Sequence, residues 1–175
     1  MTERPSPAEY PSYFEPYISK VPEEDILEVL ARQGAEIAAI FDRVPPAAGG
    51  FRYAEGKWSL LELLCHLADT ERIMAYRALC FARGEQVNLP SFDENLYSAN
   101  ADVSARTLAD LLEELRLARA ANLYFFRHLP AADWLRQGIA NHNPTSVRAI
   151  AFVIAGHLRH HLKIVEERYL PGLAG

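Results

Sequence analysis

Residues 145–169, TSVRAIAFVIAGHLRHHLKIVEERY, have the pattern of one long helix that carries apolar residues and histidines on a single face. His157 and His161 are four residues apart, so on a helix they lie one turn apart on the same side. At about 100° per residue they fall near the middle of an apolar stripe about 120° wide, whereas His160 lies at its edge. We therefore expect His157 and His161 to point into the protein, where two neighbouring imidazoles make up half of a metal site. The apolar members of the stripe are Ile150, Val153, Ile154, Ile164 and Val165.

Length, composition and charge restrict the class of protein. The chain has 175 residues, enough for one domain with a substantial core, and its 50% hydrophobic and 23% charged residues are ordinary for a globular protein. The net charge is −5, whereas a nucleic-acid binder usually has an excess of lysine and arginine, so we expect no nucleic-acid partner. It has neither the apolar segment of a signal peptide nor a stretch long enough to span a membrane, so we expect no membrane partner.

The two cysteines of the chain form no disulfide framework. Cys65 and Cys80 lie about four turns apart on one predicted helix, too far apart to bridge each other. Reduced cysteines are typical of cytoplasmic proteins, and this is the location that we expect. A buried structural role is favoured for Cys65 over a nucleophilic one, because it points about 100° away from the neighbouring His66.

Four long helical patterns predict an all-α protein, a four-helix bundle with a long crossover connection between its second and third helices. Capping boxes mark two of the helix starts, Ser59 with Glu62 and Thr107 with Asp110. The connection over residues 85–106 is long enough to be a crossover. The predicted helices run over about residues 23–44, 59–84, 107–129 and 145–169.

The chain shows no sign of a second domain. We expect the bundle to occupy about residues 23–170 of a single domain that spans residues 1–175. Residues 1–22 are rich in proline and tyrosine, and we expect them to form an irregular segment. No segment alternates convincingly as a strand, although residues 50–53 or 137–142 could form short extended pieces.

A catalytic metal site needs a third protein ligand, and His66 is the best candidate. It lies on the inward face of the second predicted helix with Leu63 and Thr70, and facing helices of a bundle have axes about 8–10 Å apart. Its imidazole can therefore converge with those of His157 and His161 on one ion. Three neutral imidazoles leave coordination positions open, as in catalytic sites. We expect the ion to be Zn or Ni, and Fe, Co or Mn would also fit.

The histidine motif contains no built-in general base, because it lacks the glutamate of a zincin motif. Glu62, one turn before His66, could reach the metal or act as a base, although its capping-box role already explains it. Arg77 projects from nearly the same helix face and could bind an anionic group of a substrate. An ion pair with an acid from another helix is the favoured interpretation. Aromatic residues that could line the mouth of a pocket are Trp58, Tyr76, Phe92 and Tyr97.

Five motifs recur in a characteristic order and spacing, at residues 56–59 (GKWS), 66–72 (HLADTER), 75–79 (AYRAL), 89–95 (LPSFDEN) and 156–161 (GHLRHH). Together they resemble the DinB-like, or DinB/YfiT, family of metal-binding four-helix bundles. The resemblance covers about residues 13–170 and implies that His66, His157 and His161 bind a divalent metal. It also implies a homodimer.

The histidine site and the resemblance together predict a metal-dependent hydrolase, in which a metal-bound water attacks a small-molecule substrate. One alternative is a thiol S-transferase of the bacillithiol type, in which the same metal holds a thiolate. This alternative requires an anion-binding residue such as Arg77 to reach the pocket. A second alternative is a non-catalytic metal-binding protein of a stress response, in which the metal would be enclosed or the cleft filled by side chains.

Overall fold

The computed structural model describes residues 3–22 and 25–173, and its architecture is a four-helix bundle, as the sequence predicts. The bundle helices are α2 (Ile26–Phe41), α3 (Leu60–Ala82), α5 (Leu108–Arg127) and α7 (Val147–Ile164). The shorter helices are α1 (Glu15–Ile18), α4 (Glu94–Asn100), α6 (Ala131–Trp134) and α8 (Leu170–Leu173), with 3₁₀ turns at Pro7–Glu9, Ser12–Phe14 and Pro46–Gly50 and a π-helical segment at Val165–Tyr169. None of the helices within the described residues is long and apolar enough to cross a membrane.

Side-chain caps fix the starts of the bundle helices. Both predicted capping boxes are present: Ser59 Oγ accepts from the Glu62 amide, and Thr107 Oγ1 accepts from the Asp110 amide. Asp25 caps α2 by accepting two backbone N–H groups. The start that the sequence predicts for this helix, residues 23 and 24, lies outside the described residues.

Helices that follow each other in the chain do not all become neighbours in the bundle. Helix α3 packs against α5 and α7, and α2 packs against the same two helices. Helices α2 and α3 therefore occupy diagonal corners, as do α5 and α7. The predicted long connection between the second and third bundle helices is present and contains α4.

A short hairpin precedes α7. Strands β1 (Gln137–Ala140) and β2 (Asn143–Ser146) pair antiparallel, and the two turn residues Asn141 and His142 have positive φ angles of 50° and 61°. Such angles at both turn positions suit the right-handed twist of a hairpin. The extended piece predicted over residues 137–142 is thus part of this hairpin, whereas residues 50–53 form no strand.

The N-terminal segment is less irregular than the sequence suggests. It contains two 3₁₀ turns and α1, and it packs on α7 by burying Phe14, Ile18 and Val21. Gly156 permits this close approach, because a Cβ at this position would lie 2.0 Å from the carbonyl oxygen of Tyr17.

The core consists of two apolar clusters separated by a layer of polar side chains. One cluster contains α3 residues 74–82 and α7 residues 147–155, and the other contains α3 residues 60–68 and α7 residues 158–162. Helices α3 and α7 therefore run antiparallel, and the polar layer lies near the middle of both.

The polar layer connects all four bundle helices. Arg119 of α5 donates two hydrogen bonds of 2.8 Å to the carboxylate of Glu71 on α3 and one of 2.6 Å to Gln33 Oε1 on α2. Gln33 Nε2 in turn donates to the carbonyl oxygen of Ala155 on α7 at 2.8 Å. All three side chains are buried, and the arginine fork matches the carboxylate, so the layer sets the register of the helices.

The Glu71→Gln substitution is expected to destabilise the protein by about 3–5 kcal/mol, because it leaves the buried Arg119 charge without its counter-charge. Urea denaturation gives this free energy of unfolding. Glu113→Gln is the matched control, because Glu113 pairs with Arg116 on the exposed surface of α5 and its loss should amount to less than about 1 kcal/mol. Equal losses for the two variants would contradict a structural role for the polar layer.

The Gly156→Ala substitution should lower the free energy of unfolding by about 1–3 kcal/mol, since the added methyl group collides with the Tyr17 backbone. Gly34→Ala in α2 is the control, because a Cβ there meets no atom within 4 Å. It should stabilise the helix by up to about 1 kcal/mol. Stabilisation by both alanines would show that the N-terminal segment does not pack closely on α7.

Candidate metal centre

The three histidines predicted as ligands lie together between α3 and α7. His66 comes from the second turn of α3, while His157 and His161 lie one turn apart on α7. Each is only 8% exposed. The Nε2 atom of His157 is 3.0 Å from Nε2 of His66 and 3.1 Å from Nε2 of His161. Among the described residues, this is the group of histidine, cysteine and acidic side chains that could hold a metal ion.

Hydrogen bonding alone cannot satisfy this cluster. A ring nitrogen has either one proton or one lone pair, and both point outward in the plane of the ring. His157 Nε2 can therefore form only one well-aligned hydrogen bond, although it has two ring nitrogens at hydrogen-bond distance. A metal ion bound about 2.0–2.1 Å from each nitrogen places the nitrogens about 3 Å apart and uses all three lone pairs. The donor set and its spacing thus fit a divalent ion.

The electrostatics of the cluster favour neutral rings. Burial lowers the pKa of His66 to about 4. It also lowers the pKa of His161 to about 3, helped by the nearby His66 and His160. For His157, burial and then the neighbouring histidines lower the pKa well below its usual value. All three rings are neutral near pH 7, so their lone pairs are free to bind a metal.

Aromatic packing holds the rings in place. The indole of Trp58 lies 4.6 Å from the His66 ring and 6.5 Å from the His161 ring, measured between centroids. Tyr17 contacts the His157 ring edge-on at 5.3 Å. His161 Nδ1 is buried and has no hydrogen-bond partner among the described residues, so no hydrogen bond at this nitrogen orients the ring.

A cavity of about 270 Å³ opens beside the histidines. One wall is a stripe of α3 that continues from His66 through Thr70 and Met74 to Arg77. The Thr70 hydroxyl is buried there and has no hydrogen-bond partner in the part of the chain that the structure describes. The cavity leaves room for a small molecule next to the three ring nitrogens.

The structure does not bring Glu62 into this cavity. Its carboxylate accepts from the Ser59 amide at 2.6 Å and from Arg52 at 2.8 Å. These bonds and the Arg52 charge lower the pKa of Glu62 despite a partial burial that raises it. Glu62 therefore caps α3, and the cavity contains a different carboxylate, that of Glu94 at the start of α4.

Arg77 lines the cavity, but the ion pair favoured by the sequence is absent. Within the described residues, no carboxylate lies within 4.0 Å of its guanidinium. The guanidinium donates instead to the carbonyl oxygen of Pro90 at 2.7 Å and lies over the ring of Phe92. The sequence expectation was wrong because the crossover brings a backbone carbonyl, that of Pro90, to the guanidinium in place of a carboxylate.

The remaining predicted residues divide between the cavity and the surface. Trp58 and Phe92 line the cavity, whereas Tyr76 and Tyr97 are exposed and do not. His160 lines the cavity without joining the ligand group, as its helical phase predicts. Cys65 and Cys80 are both free thiols, and burial raises the pKa of Cys65.

Sequence analysis missed the wall formed by the N-terminal segment. Tyr13, Phe14 and Tyr17 all line the cavity. The available signal was three aromatic residues within five positions, together with Gly156 beside a ligand histidine. Glycine inside an otherwise strong helix often marks the close approach of another backbone.

Comparison with known families agrees with this fold. The model of the DinB superfamily matches residues 30–165. The chain belongs to the DinB superfamily. No curated protein sequence matches the chain.

Two solved structures have similar folds. YfiT from Bacillus subtilis, described as a probable metal-dependent hydrolase with an unusual four-helix bundle topology, has a TM-score of 0.75 and 17% identity over 84% of this chain and 85% of that one. The mycothiol-dependent maleylpyruvate isomerase has a TM-score of 0.63 and 14% identity over 83% of this DinB-superfamily chain and 61% of that one. Sequence identities of 17% and 14% are low, so the similarity to these two structures shows a shared fold and nothing further.

Substitution of a ligand histidine should abolish tight metal binding. His161→Ala is expected to weaken zinc binding by about 100-fold or more, because even the loss of an outer-shell partner weakens a site by about 10- to 100-fold. His160→Ala is the matched control and should leave zinc affinity nearly unchanged. Competition with a chromophoric chelator measures both affinities, and circular dichroism checks the fold. Loss of binding in His160→Ala but not in His161→Ala would contradict the assignment.

Proposed function

We propose that this DinB-superfamily protein binds a divalent metal ion through His66, His157 and His161 and hydrolyses a small molecule in the adjoining cavity. The observation that carries the proposal is the convergence of three buried Nε2 atoms on the wall of a cavity. Three protein ligands with adjacent free space are typical of catalytic metal sites. Bound there, the ion supplies a nucleophile by lowering the pKa of water to near neutrality, and it polarises a carbonyl or phosphoryl group.

The side chains around the ligands have separate roles in this proposal. Trp58 and Tyr17 cover the imidazoles and limit the access of bulk water. Glu94 and His160 are the cavity-lining side chains, apart from the three ligands, that can accept a proton. Burial and the nearby Lys20 charge lower the pKa of His160, so this ring is neutral near pH 7.

Thiol S-transfer is the second candidate, and one observation favours it. A low-molecular-weight thiol with acidic groups needs a cation beside the metal, and Arg77 lines the cavity with no carboxylate partner among the described residues. The cavity also supports an enzyme over a non-catalytic metal-binding protein, because the ring nitrogens adjoin open space rather than a filled cleft.

Metal-dependent hydrolysis is expected of the purified protein loaded with zinc or nickel. A panel of small esters, amides and phosphate esters should contain at least one substrate whose turnover is lost on chelation and restored by the metal. His66→Ala should reduce this turnover by about 100-fold or more, since it removes a ligand. His128→Ala is the control, because His128 lies at the exposed end of α5 and its ring Nδ1 lies within hydrogen-bond distance of the Tyr124 carbonyl oxygen, away from the cavity.

The same preparations should be assayed for conjugation of an electrophile to a low-molecular-weight thiol. Metal-dependent conjugation without hydrolysis would favour the S-transferase over the hydrolase. Turnover that chelation leaves unchanged would contradict both enzymatic functions.

A further inference from the structure

We propose that the substrate of this cavity is a small carboxylate with an apolar body, and that Arg77 binds its carboxylate at the end of the cavity opposite the histidines. The position of the reacting group beside the histidines rests on the proposed function. The anion-binding end rests on the surroundings of Arg77 alone.

The first observation is a buried cation without a counter-charge. Arg77 is 8% exposed, and an arginine so buried normally has a carboxylate partner. The other buried arginine, Arg119, has one in Glu71. Arg77 has none within the described residues. Its guanidinium donates to the Pro90 carbonyl at 2.7 Å and to Met74 Sδ at 3.9 Å, and it lies over the ring of Phe92. Most of its five N–H donors are thus available to a ligand in the cavity.

The second observation is the spacing along α3. His66, Thr70, Met74 and Arg77 recur every three or four residues, so they form a single stripe that lines one cavity. Eleven residues separate His66 from Arg77, which corresponds to about 16 Å along the helix axis. A ligand that reaches from the histidines toward Arg77 is therefore elongated. The Thr70 hydroxyl, which has no hydrogen-bond partner within residues 3–22 and 25–173, belongs to the stripe between the two ends.

The third observation is the aromatic part of the cavity lining. Tyr13, Phe14, Tyr17 and Phe92 line the same cavity as the α3 stripe. Aromatic rings favour an apolar or aromatic body between the two polar ends of the ligand. A volume of about 270 Å³ lies at the small end of ligand pockets.

The charge of the cavity favours a carboxylate over a phosphoryl group. Arg77 is the single lysine or arginine among the described residues that line the cavity. One guanidinium fork matches the two oxygens of a carboxylate, whereas a phosphoryl dianion is normally bound by several cationic or N–H groups. Glu94 also lines the cavity and disfavours a second negative charge on the ligand.

The test compares a carboxylate with its neutral counterpart. Isothermal titration calorimetry of 4-phenylbutyrate, 4-phenylbutanamide and 3-phenylpropylphosphonate is carried out on chelator-treated protein and on zinc-loaded protein. The carboxylate should bind about tenfold more tightly than the amide, since it gains charge-assisted hydrogen bonds, and more tightly than the phosphonate.

The Arg77→Met substitution should abolish the preference for carboxylate over amide while the amide affinity stays nearly unchanged. Arg83→Met is the matched control, because Arg83 caps the same helix but is exposed to solvent and should leave the preference intact. If Arg77 serves only to hold the α3–α5 connection in place through the Pro90 carbonyl, its substitution will weaken the binding of the carboxylate and of the amide equally. This result would overturn the proposal.

Measurements on chelator-treated and on zinc-loaded protein distinguish a failure of this proposal from a failure of the metal-dependent function. A carboxylate preference in chelator-treated protein that never binds zinc supports the anion-binding end and contradicts only the metal site. A protein that binds zinc but binds the carboxylate and the amide equally tightly, or binds neither compound, overturns the proposal. The metal site is left intact by this result. If the phosphonate binds more tightly than the carboxylate, the assignment of the substrate as a carboxylate is overturned.

Discussion

The contact of three imidazole nitrogens inside the bundle is the constraint on which the functional account depends. A single Nε2 atom, that of His157, has two other ring nitrogens 3.0 and 3.1 Å away and can satisfy only one of them by hydrogen bonding. Burial keeps all three rings neutral, so the cluster gains nothing from protonation near pH 7. Such crowding is unfavourable in a protein core unless the nitrogens share a common partner. We infer that this partner is a divalent ion.

The fold braces the α7 segment that carries this contact. The Ala155 carbonyl, two residues before His157, accepts a hydrogen bond from Gln33. Gln33 in turn accepts a hydrogen bond from Arg119, which is paired with Glu71. The intervening Gly156 lets the N-terminal segment lie against the helix. Polar bonds from one side and close backbone packing from the other thus position a ligand, as a precise metal site requires. The polar layer therefore serves both the register of the helices and the geometry of the site.

The sequence predicts the helices and the ligands because both depend on local periodicity. The spacing of His157 and His161 determines their common face, and the phase of His160 sets it apart from them. Capping boxes locate the starts of α3 and α5 for the same reason, since their hydrogen bonds join residues three apart. Each of these features involves a single helix and needs no knowledge of what packs against it.

The features that the sequence did not predict all depend on contacts between distant parts of the chain. The pairing of Arg119 with Glu71 rather than with an acid of its own helix follows from how α3 and α5 pack. The isolation of Arg77 follows from the path of the crossover, which offers it the Pro90 carbonyl instead of a carboxylate. The cavity wall at Tyr17 needs the N-terminal segment to fold back on α7, and periodicity carries no information on that path.

The position of a bound metal ion tests the central inference most directly. Crystals grown with zinc should show one strong anomalous difference peak between α3 and α7, about 2.0–2.1 Å from Nε2 of His66, His157 and His161, with coordination positions open toward the cavity. An ion bound elsewhere, an ion held by fewer than these three nitrogens, or no peak at saturating zinc would contradict the account.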